Sequence, residues 1–149
     1  MQLSTKGRYA VMAMVELART GPGRAVSLAD VAARQEISLA YLEQLFARLR
    51  RAGLVTSVRG PGGGYRLARA AAETTVGEVV RAVDEPLEVT RCAGHGAGVG
   101  CLAGGAKCLT HDLWEALEDE IDAFLARVSL EDVAQRRVRP RKLAMAAAG

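Results

Sequence analysis

The sequence is poor in aromatic residues, in cysteine and in long apolar runs. Its 149 residues include two Phe, three Tyr and one Trp, which argues against an aromatic-rich β-sandwich and favours helices rich in Ala, Leu and Val. No run of about 18 apolar residues occurs, so we expect no transmembrane helix and no membrane partner. The first residues lack the charged start and apolar stretch of an export signal, so we expect a cytoplasmic protein.

Charge is distributed very unevenly along the chain, although the formal net charge is only +3. Residues 1–70 contain eleven Lys and Arg against four Asp and Glu, residues 71–134 contain four against thirteen, and residues 135–149 contain five against none. A basic first part suggests a polyanionic partner such as nucleic acid. The alternative is that both parts are ordinary solvated surfaces.

Two helices joined by a short connection are predicted before Gly53, which ends the second one. Ser27 and Ser38 are in position to cap them, and leucines at spacings of three and four residues form an apolar stripe along the second. Alternating residues over 54–59 and 65–68, on either side of a Gly-rich turn, then predict a β-hairpin. The pattern indicates a mainly α fold with a small β-hairpin wing, that is, a winged helix-turn-helix domain.

Further helices are predicted over 5–19 and from a capping box at Thr75 to about Val83, with a short capped turn after Ser129. The Gly-rich turn lacks the Gly-Lys-Ser/Thr ending of a phosphate-binding loop and precedes no helix, so that interpretation is disfavoured. No pairing of nucleophile and base is visible, and we expect no enzymatic activity.

The three cysteines, Cys92, Cys101 and Cys108, fall within 17 residues of a Gly-rich loop. His111 follows at the predicted start of a long helix, where Cys108 and His111 could project from one face of the first turn. Three thiolates and one imidazole fit a [2Fe-2S] cluster, a structural zinc ion or free redox-sensing thiols, and the wide gaps favour a cluster. His95 is a rival ligand, but a helix start holds a ring more firmly than a Gly-flanked loop.

The predicted helix from His111 to Val128 has one apolar stripe and an acidic opposite face. At about 18 residues it is too long for a small domain to cover, so we expect it to pack on a second copy in a homodimer. The expected dimer contacts are Leu113, Trp114, Leu117, Ile121, Phe124 and Leu125. The predicted organisation is a DNA-binding domain over 1–84, a cluster-binding loop over 85–111, a dimerisation helix region over 112–134 and a basic, frayed tail over 135–149.

Several segments closely resemble the IscR family, the iron–sulphur cluster regulators of bacteria. The resemblance covers about residues 1–134, and its most specific parts are the GPGGGY wing and the CLTH segment; the matching stretches are 3–14, 27–55, 57–67, 76–85, 90–92 and 107–114. It implies a dimeric transcription factor that carries a [2Fe-2S] cluster, supplied by the cluster assembly machinery, on Cys92, Cys101, Cys108 and His111. It also implies control of cluster biogenesis genes, with repression of its own operon when the cluster is bound.

The resemblance places Tyr41, Glu43 and Gln44 on the helix that enters the major groove of an operator. Glu43 can accept from a cytosine amino group, and Gln44 can pair with adenine. Arg59, at the wing tip, is expected to enter the minor groove. The remaining expected DNA-binding residues are Ser38, Ala40, Arg48, Arg50, Gly60, Pro61, Gly62, Gly63 and Tyr65.

Two features depart from the family pattern. The gaps between the cysteines are longer than in enterobacterial members, which bears on cluster stability, and Ala40 stands where a serine is expected, which bears on operator sequence. The nitric-oxide sensor NsrR is a sister group that also uses three cysteines. A cluster-free regulator with oxidant-sensing thiols and an electron or cluster carrier are further alternatives.

Overall fold

The computed structural model describes residues 5–83, 100–102 and 104–140. These residues form a mainly helical structure with one two-stranded antiparallel hairpin, which confirms the expected fold class. The elements are α1 (Thr5–Thr20), α2 (Leu28–Gln35), α3 (Leu39–Arg51), β1 (Val55–Val58), β2 (Gly64–Leu67), a 3₁₀ turn (Ala71–Glu73), α4 (Val76–Ala82), α5 (His111–Arg127) and α6 (Leu130–Ala134). Within the described residues, no helix is long and apolar enough to cross a membrane.

Helices α2 and α3 form the predicted helix-turn-helix because local signals start and stop each of them. The Ser27 hydroxyl accepts the backbone N–H of Asp30 at 3.1 Å, and the Ser38 hydroxyl accepts that of Tyr41 at 3.4 Å. Gly53, with φ of +75°, follows the end of α3 in the left-handed region that favours glycine. The predicted caps are therefore confirmed.

The core lies between α1, α3 and the hairpin. Phe46 of α3 is fully buried, and its ring meets that of Tyr65 edge-on at 5.0 Å between centroids. The predicted apolar stripe of α3 faces this core, except that Leu39, the first residue of the helix, is 42% exposed. The other buried side chains of the stripe are Leu42, Leu45 and Leu49.

The wing is attached to the chain just before α2. Its strands pair from Val55 opposite Leu67 to Val58 opposite Gly64. On the other side of β2, Tyr65 and Val26 exchange two backbone hydrogen bonds of 2.8 Å each. A Cβ atom on Gly64 would overlap the Val26 carbonyl and lie 2.8 Å from the Ser27 nitrogen, so this position accepts only glycine.

Helix α4 connects the winged domain to α5. A Cβ atom on Gly77 of α4 would lie 3.2 Å from the backbone of Leu125 and Ala126, so the two helices pack in close backbone contact. The Val76 N–H donates to the Val128 carbonyl at 2.8 Å, directly after α5. The C-terminal end of α5 is therefore fastened to α4.

A buried carboxylate joins α1 to α2. Glu16 is only 8% exposed, although it lies in an otherwise apolar helix face. Its two carboxylate oxygens accept from Arg34 at 2.7 Å and from Gln35 at 3.2 Å. The ion pair raises the pKa of Arg34 above its ordinary value, chiefly through the hydrogen bond to Glu16. Such pairing is what a buried charge requires.

We expect Gly64→Ala to lower the free energy of unfolding by about 3 kcal/mol or more, because the new methyl group overlaps immovable backbone. Urea titration measures the loss. Gly62→Ala is the matched control: Gly62 also has positive φ, but the space around it is open, so only the left-handed conformation costs about 1 kcal/mol. Equal losses in the two variants would contradict the close approach to Val26.

A second prediction concerns Glu78, whose carboxylate closes the capping box of α4. It accepts from the Thr75 N–H at 2.8 Å and from Arg69 at 2.7 Å. Both hydrogen bonds, and chiefly the one from Thr75, lower the pKa of Glu78 below its ordinary value of 4.5. The ionised carboxylate therefore stabilises the fold at pH values above its ordinary pKa, and this contribution is lost as the pH falls through the lowered pKa. We expect Glu78→Gln to cost about 0.5–1 kcal/mol near pH 7 and less near pH 3.

Urea titrations at both pH values measure this difference, and Glu73→Gln, which changes an exposed carboxylate, is the control. A cost for Glu78→Gln that stays constant down to acid pH would show that the charge of Glu78 has no part in the cap.

Candidate nucleic-acid interface and metal centre

One face of α3 points away from the core and exposes polar side chains. Glu43, Gln44 and Arg50 are exposed, as is the small apolar Ala40, whereas the opposite face is buried. Within the described residues the Glu43 carboxylate and the Gln44 amide have no hydrogen-bond partner, so they can accept from and donate to groups outside the protein. This face can therefore read hydrogen-bonding groups, which is what contact with base edges requires.

The wing tip is a second exposed surface. Arg59, Gly60, Pro61 and Gly62 are exposed, and the turn is closed by the Gly63 N–H, which donates to the Gly60 carbonyl at 2.9 Å. Gly60 and Gly62 have φ of +100° and +73°, so the turn itself depends on glycine. The tip therefore presents one guanidinium group on a compact backbone.

Four other residues expected at DNA are engaged within the protein. Ser38 caps α3, and the Arg48 guanidinium donates to the Val83 carbonyl at 2.9 Å. The Tyr41 ring, partly buried, meets that of Tyr9 edge-on at 5.9 Å between centroids, and the Tyr65 ring packs on Phe46. These contacts are with the fold itself, and sequence periodicity alone did not indicate them.

The candidate ligand residues meet at the start of α5. The Cys101 Sγ lies 3.3 Å from Nδ1 of His111, which is the one buried residue among those of α5. The backbone N–H of Cys108 donates to the same sulphur at 3.2 Å. Cys92 and His95 lie outside the described residues. The structure therefore brings together Cys101 and His111 of the four predicted ligands.

Cys108 occupies a different position from the one expected. The sequence suggested that Cys108 and His111 share a face of the helix's first turn, but α5 begins only at His111, and the sulphur against the ring is that of Cys101. The Cys108 Sγ lies 3.6 Å from the Thr110 hydroxyl. Cys108 contributes to the pair through its backbone, which holds the Cys101 sulphur in place.

A tight turn returns the chain from Cys101 to α5. The Gly105 N–H donates to the Leu102 carbonyl at 3.0 Å, and the Leu102 N–H donates to the Ala106 carbonyl at 3.1 Å. Gly100 lies so close to the carbonyls of Gly105 and Ala106 that a Cβ atom would overlap them. This packing explains how a sulphur ten residues before His111 reaches its ring.

The other ring nitrogen of His111 faces carboxylates. Its Nε2 lies 3.8 Å from Glu115, and ligand atoms of His111, Asp112 and Glu115 all fall within 4.8 Å of one another. Lys107 pairs with Asp112 at 3.7 Å and with Glu115 at 3.8 Å. The ring therefore has a soft sulphur on its Nδ1 side and charged groups on its Nε2 side, an arrangement that the spacing of the cysteines did not reveal.

The apolar stripe of α5 is only partly covered by the residues that the structure describes. Leu113 and Phe124 are 60% and 42% exposed, and Arg127 lies over the Phe124 ring at 5.1 Å. The remaining members of the predicted dimer stripe, Trp114, Leu117, Ile121 and Leu125, are partly buried. An exposed stripe of this kind marks a surface for another apolar surface.

Comparison with known proteins places this architecture in a family. Residues 3–136 match the Rrf2 family, described as iron-dependent transcriptional regulators. Over 133 residues the chain is 54% identical to the HTH-type transcriptional regulator IscR of Escherichia coli O1:K1. This aligned region covers 89% of this chain and 80% of that protein.

Solved structures agree with this match. The chain resembles T. potens IscR with a TM-score of 0.73 and 38% identity, over 93% of this chain and 89% of that one. It also resembles CymR of B. subtilis, called the global cysteine regulator, with a TM-score of 0.76 and 32% identity. That match covers 91% of this chain and 98% of CymR. The winged helix-turn-helix fold is therefore shared with both, and this chain belongs to the Rrf2 family of transcriptional regulators.

Proposed function

We propose that this regulator binds operator DNA and senses iron–sulphur cluster status through a [2Fe-2S] cluster. It controls cluster biogenesis genes and represses its own operon when the cluster is bound. The observation that carries the proposal is the 3.3 Å approach of the Cys101 sulphur to Nδ1 of His111 at the start of α5. The similarity to proteins named IscR supports the same reading.

The described ligand residues fit such a cluster by their chemistry. Thiolate and imidazole are ligands that iron–sulphur centres accept, and hydrogen bonds to the sulphurs tune them. Here the Cys108 N–H already donates to the Cys101 sulphur, which stabilises negative charge on it. Cys92, Cys101, Cys108 and His111 would hold the cluster, received from the assembly machinery. A bound cluster would provide a redox-active group, and its presence on the protein would report how much cluster the cell has available.

The DNA contacts divide between two exposed surfaces. On α3, Glu43 and Gln44 would meet base edges in the major groove, and Arg50 would meet phosphate. On the wing, Arg59 would enter the minor groove, where a narrow A·T-rich groove attracts arginine. The basic balance of residues 1–70 supplies the general attraction to phosphates, so binding would weaken steeply with salt.

A homodimer would place two such surfaces on one operator. The exposed Leu113 and Phe124 of α5 would pack on a second copy, together with the rest of the stripe. Two recognition helices related by a two-fold axis read half-sites about one helical turn apart, or a multiple of it.

The first test is the iron and acid-labile sulphide content of protein purified without oxygen. We expect about two of each per chain for a [2Fe-2S] cluster. His111→Ala should lose most of this content because it removes a ligand. His95→Ala is the matched control, since it removes the other histidine of the chain, and it should retain the wild-type content.

Other contents would contradict the proposal in distinct ways. About four of each element would point to the nitric-oxide-sensor branch. One zinc ion without sulphide would make the site structural, and protein free of any metal would favour thiol sensing. Wild-type cluster content in His111→Ala would show that His111 is not a ligand.

The second test separates shape reading by Arg59 from simple charge attraction. We expect Arg59→Ala to weaken binding to A·T-rich operators by about 1–3 kcal/mol, and G·C-rich ones less, because only a narrow minor groove favours the inserted guanidinium. Fluorescence anisotropy with matched duplexes measures both. A loss that is the same on every duplex would mean that Arg59 contacts phosphate alone.

A further inference from the structure

Arg48 belongs to the helix that faces DNA, but its guanidinium is bound within the protein. Its Nη1 donates to the Val83 carbonyl at 2.9 Å, and the contact is partly buried. Val83 is the C-terminal cap of α4, and the last carbonyl groups of a helix lack partners within the helix itself. Arg48 therefore satisfies the end of α4 and ties α3 to it.

The position of Arg48 along α3 links this bond to the exposed face. Gln44 lies four residues before Arg48, one turn away on the same side of the helix. Glu43 is its exposed neighbour. Because a helix moves as a rigid element over one turn, a change in the point at which Arg48 is held would shift these two side chains with it.

Helix α4 is connected to the ligand residues in two indirect ways, along the chain after Val83 and by packing against α5. From Val83 the sequence continues through 84–99 towards Cys101. At its beginning, Gly77 packs against the backbone near the end of α5, the helix that starts with His111. Helix α4 thus contacts both α3, which carries Arg48, and α5, which His111 begins.

We propose that Arg48 is a positioning residue, which sets the place of α3 relative to α4 and through this bond couples the ligand segment to the DNA-reading side chains. This inference rests on the proposed function, since it needs a cluster whose presence alters DNA binding. Coupling between two sites requires an element that both of them bias, and the Arg48–Val83 bond joins the two elements concerned. A contact of Arg48 with phosphate, as its place among the expected DNA-binding residues would imply, would instead act by charge.

The test compares Arg48→Ala, Arg48→Lys and Arg50→Ala in the full chain, with a duplex from the promoter of its own operon. Binding is measured over a range of salt concentrations, for cluster-loaded and cluster-free protein. Arg50→Ala is the matched control, because Arg50 is an exposed arginine of the same helix. Thermal unfolding of each variant checks that the fold is retained.

We expect Arg48→Ala to keep the wild-type slope of log affinity against log salt concentration, because no phosphate contact is lost. We expect the same variant to reduce the ratio of the DNA affinity of the cluster-loaded protein to that of the cluster-free protein by about fivefold or more. Arg48→Lys keeps one donor for the Val83 carbonyl and should restore much of the ratio. Arg50→Ala should lower the slope by about one unit and leave the ratio unchanged, since both forms lose the same contact.

Three results would overturn the inference in whole or in part. If Arg48→Ala lowers the salt slope as Arg50→Ala does, Arg48 contacts phosphate. If the slope and the ratio both stay at wild-type values, the bond to Val83 carries no coupling. If the DNA affinity of the wild-type protein is the same with and without the cluster, the proposed cluster response is overturned, and the coupling with it. The salt slope would still decide whether Arg48 contacts phosphate or positions α3.

Discussion

The close backbone approach between β2 and the residue before α2 is the constraint on which the DNA-facing half depends. Tyr65 and Val26 exchange two hydrogen bonds there, and Gly64 leaves the space that this approach needs. From the same point the Tyr65 ring reaches Phe46 of α3 in the core. The wing, the start of the helix-turn-helix and the recognition helix are consequently one rigid unit, and a signal must move them together.

The rest of the molecule is attached to that unit through α4 and α6. Helix α5 contributes one buried residue, His111, to the described chain, so its fold is stabilised mainly at its two ends. At one end lies the contact between Cys101 and His111, and at the other the packing of Gly77. The position of this helix therefore depends chiefly on the contacts at its two ends.

Local signals in the sequence were sufficient for the fold. The helix-turn-helix, the wing and α5 follow from caps, glycines and periodic apolar residues that lie within a few positions of one another. Contacts between residues far apart in the sequence were not predicted, because the periodic patterns of a single sequence indicate local secondary structure and not which distant residues touch. The bonds of Arg34 to Glu16 and of Arg48 to Val83 join residues 18 and 35 positions apart.

The candidate metal centre shows the same division. The composition suggested which residues could be ligands, but the contact between Cys101 and His111 depends on a turn built from close backbone contacts at Gly100, which spacing does not encode. The DNA-facing roles of the exposed α3 and wing residues remain predictions.

The turn between Gly100 and α5 has a thermodynamic consequence for any metal that binds there. Closing a flexible loop costs conformational entropy, and in many metal sites the ion itself must offset this cost. Here Cys101 and His111 are already in contact in the protein alone, so folding has closed their loop beforehand. Preorganisation of this kind raises affinity without any added contact. For this half of the site, therefore, the binding free energy of the metal is available for other changes in the protein.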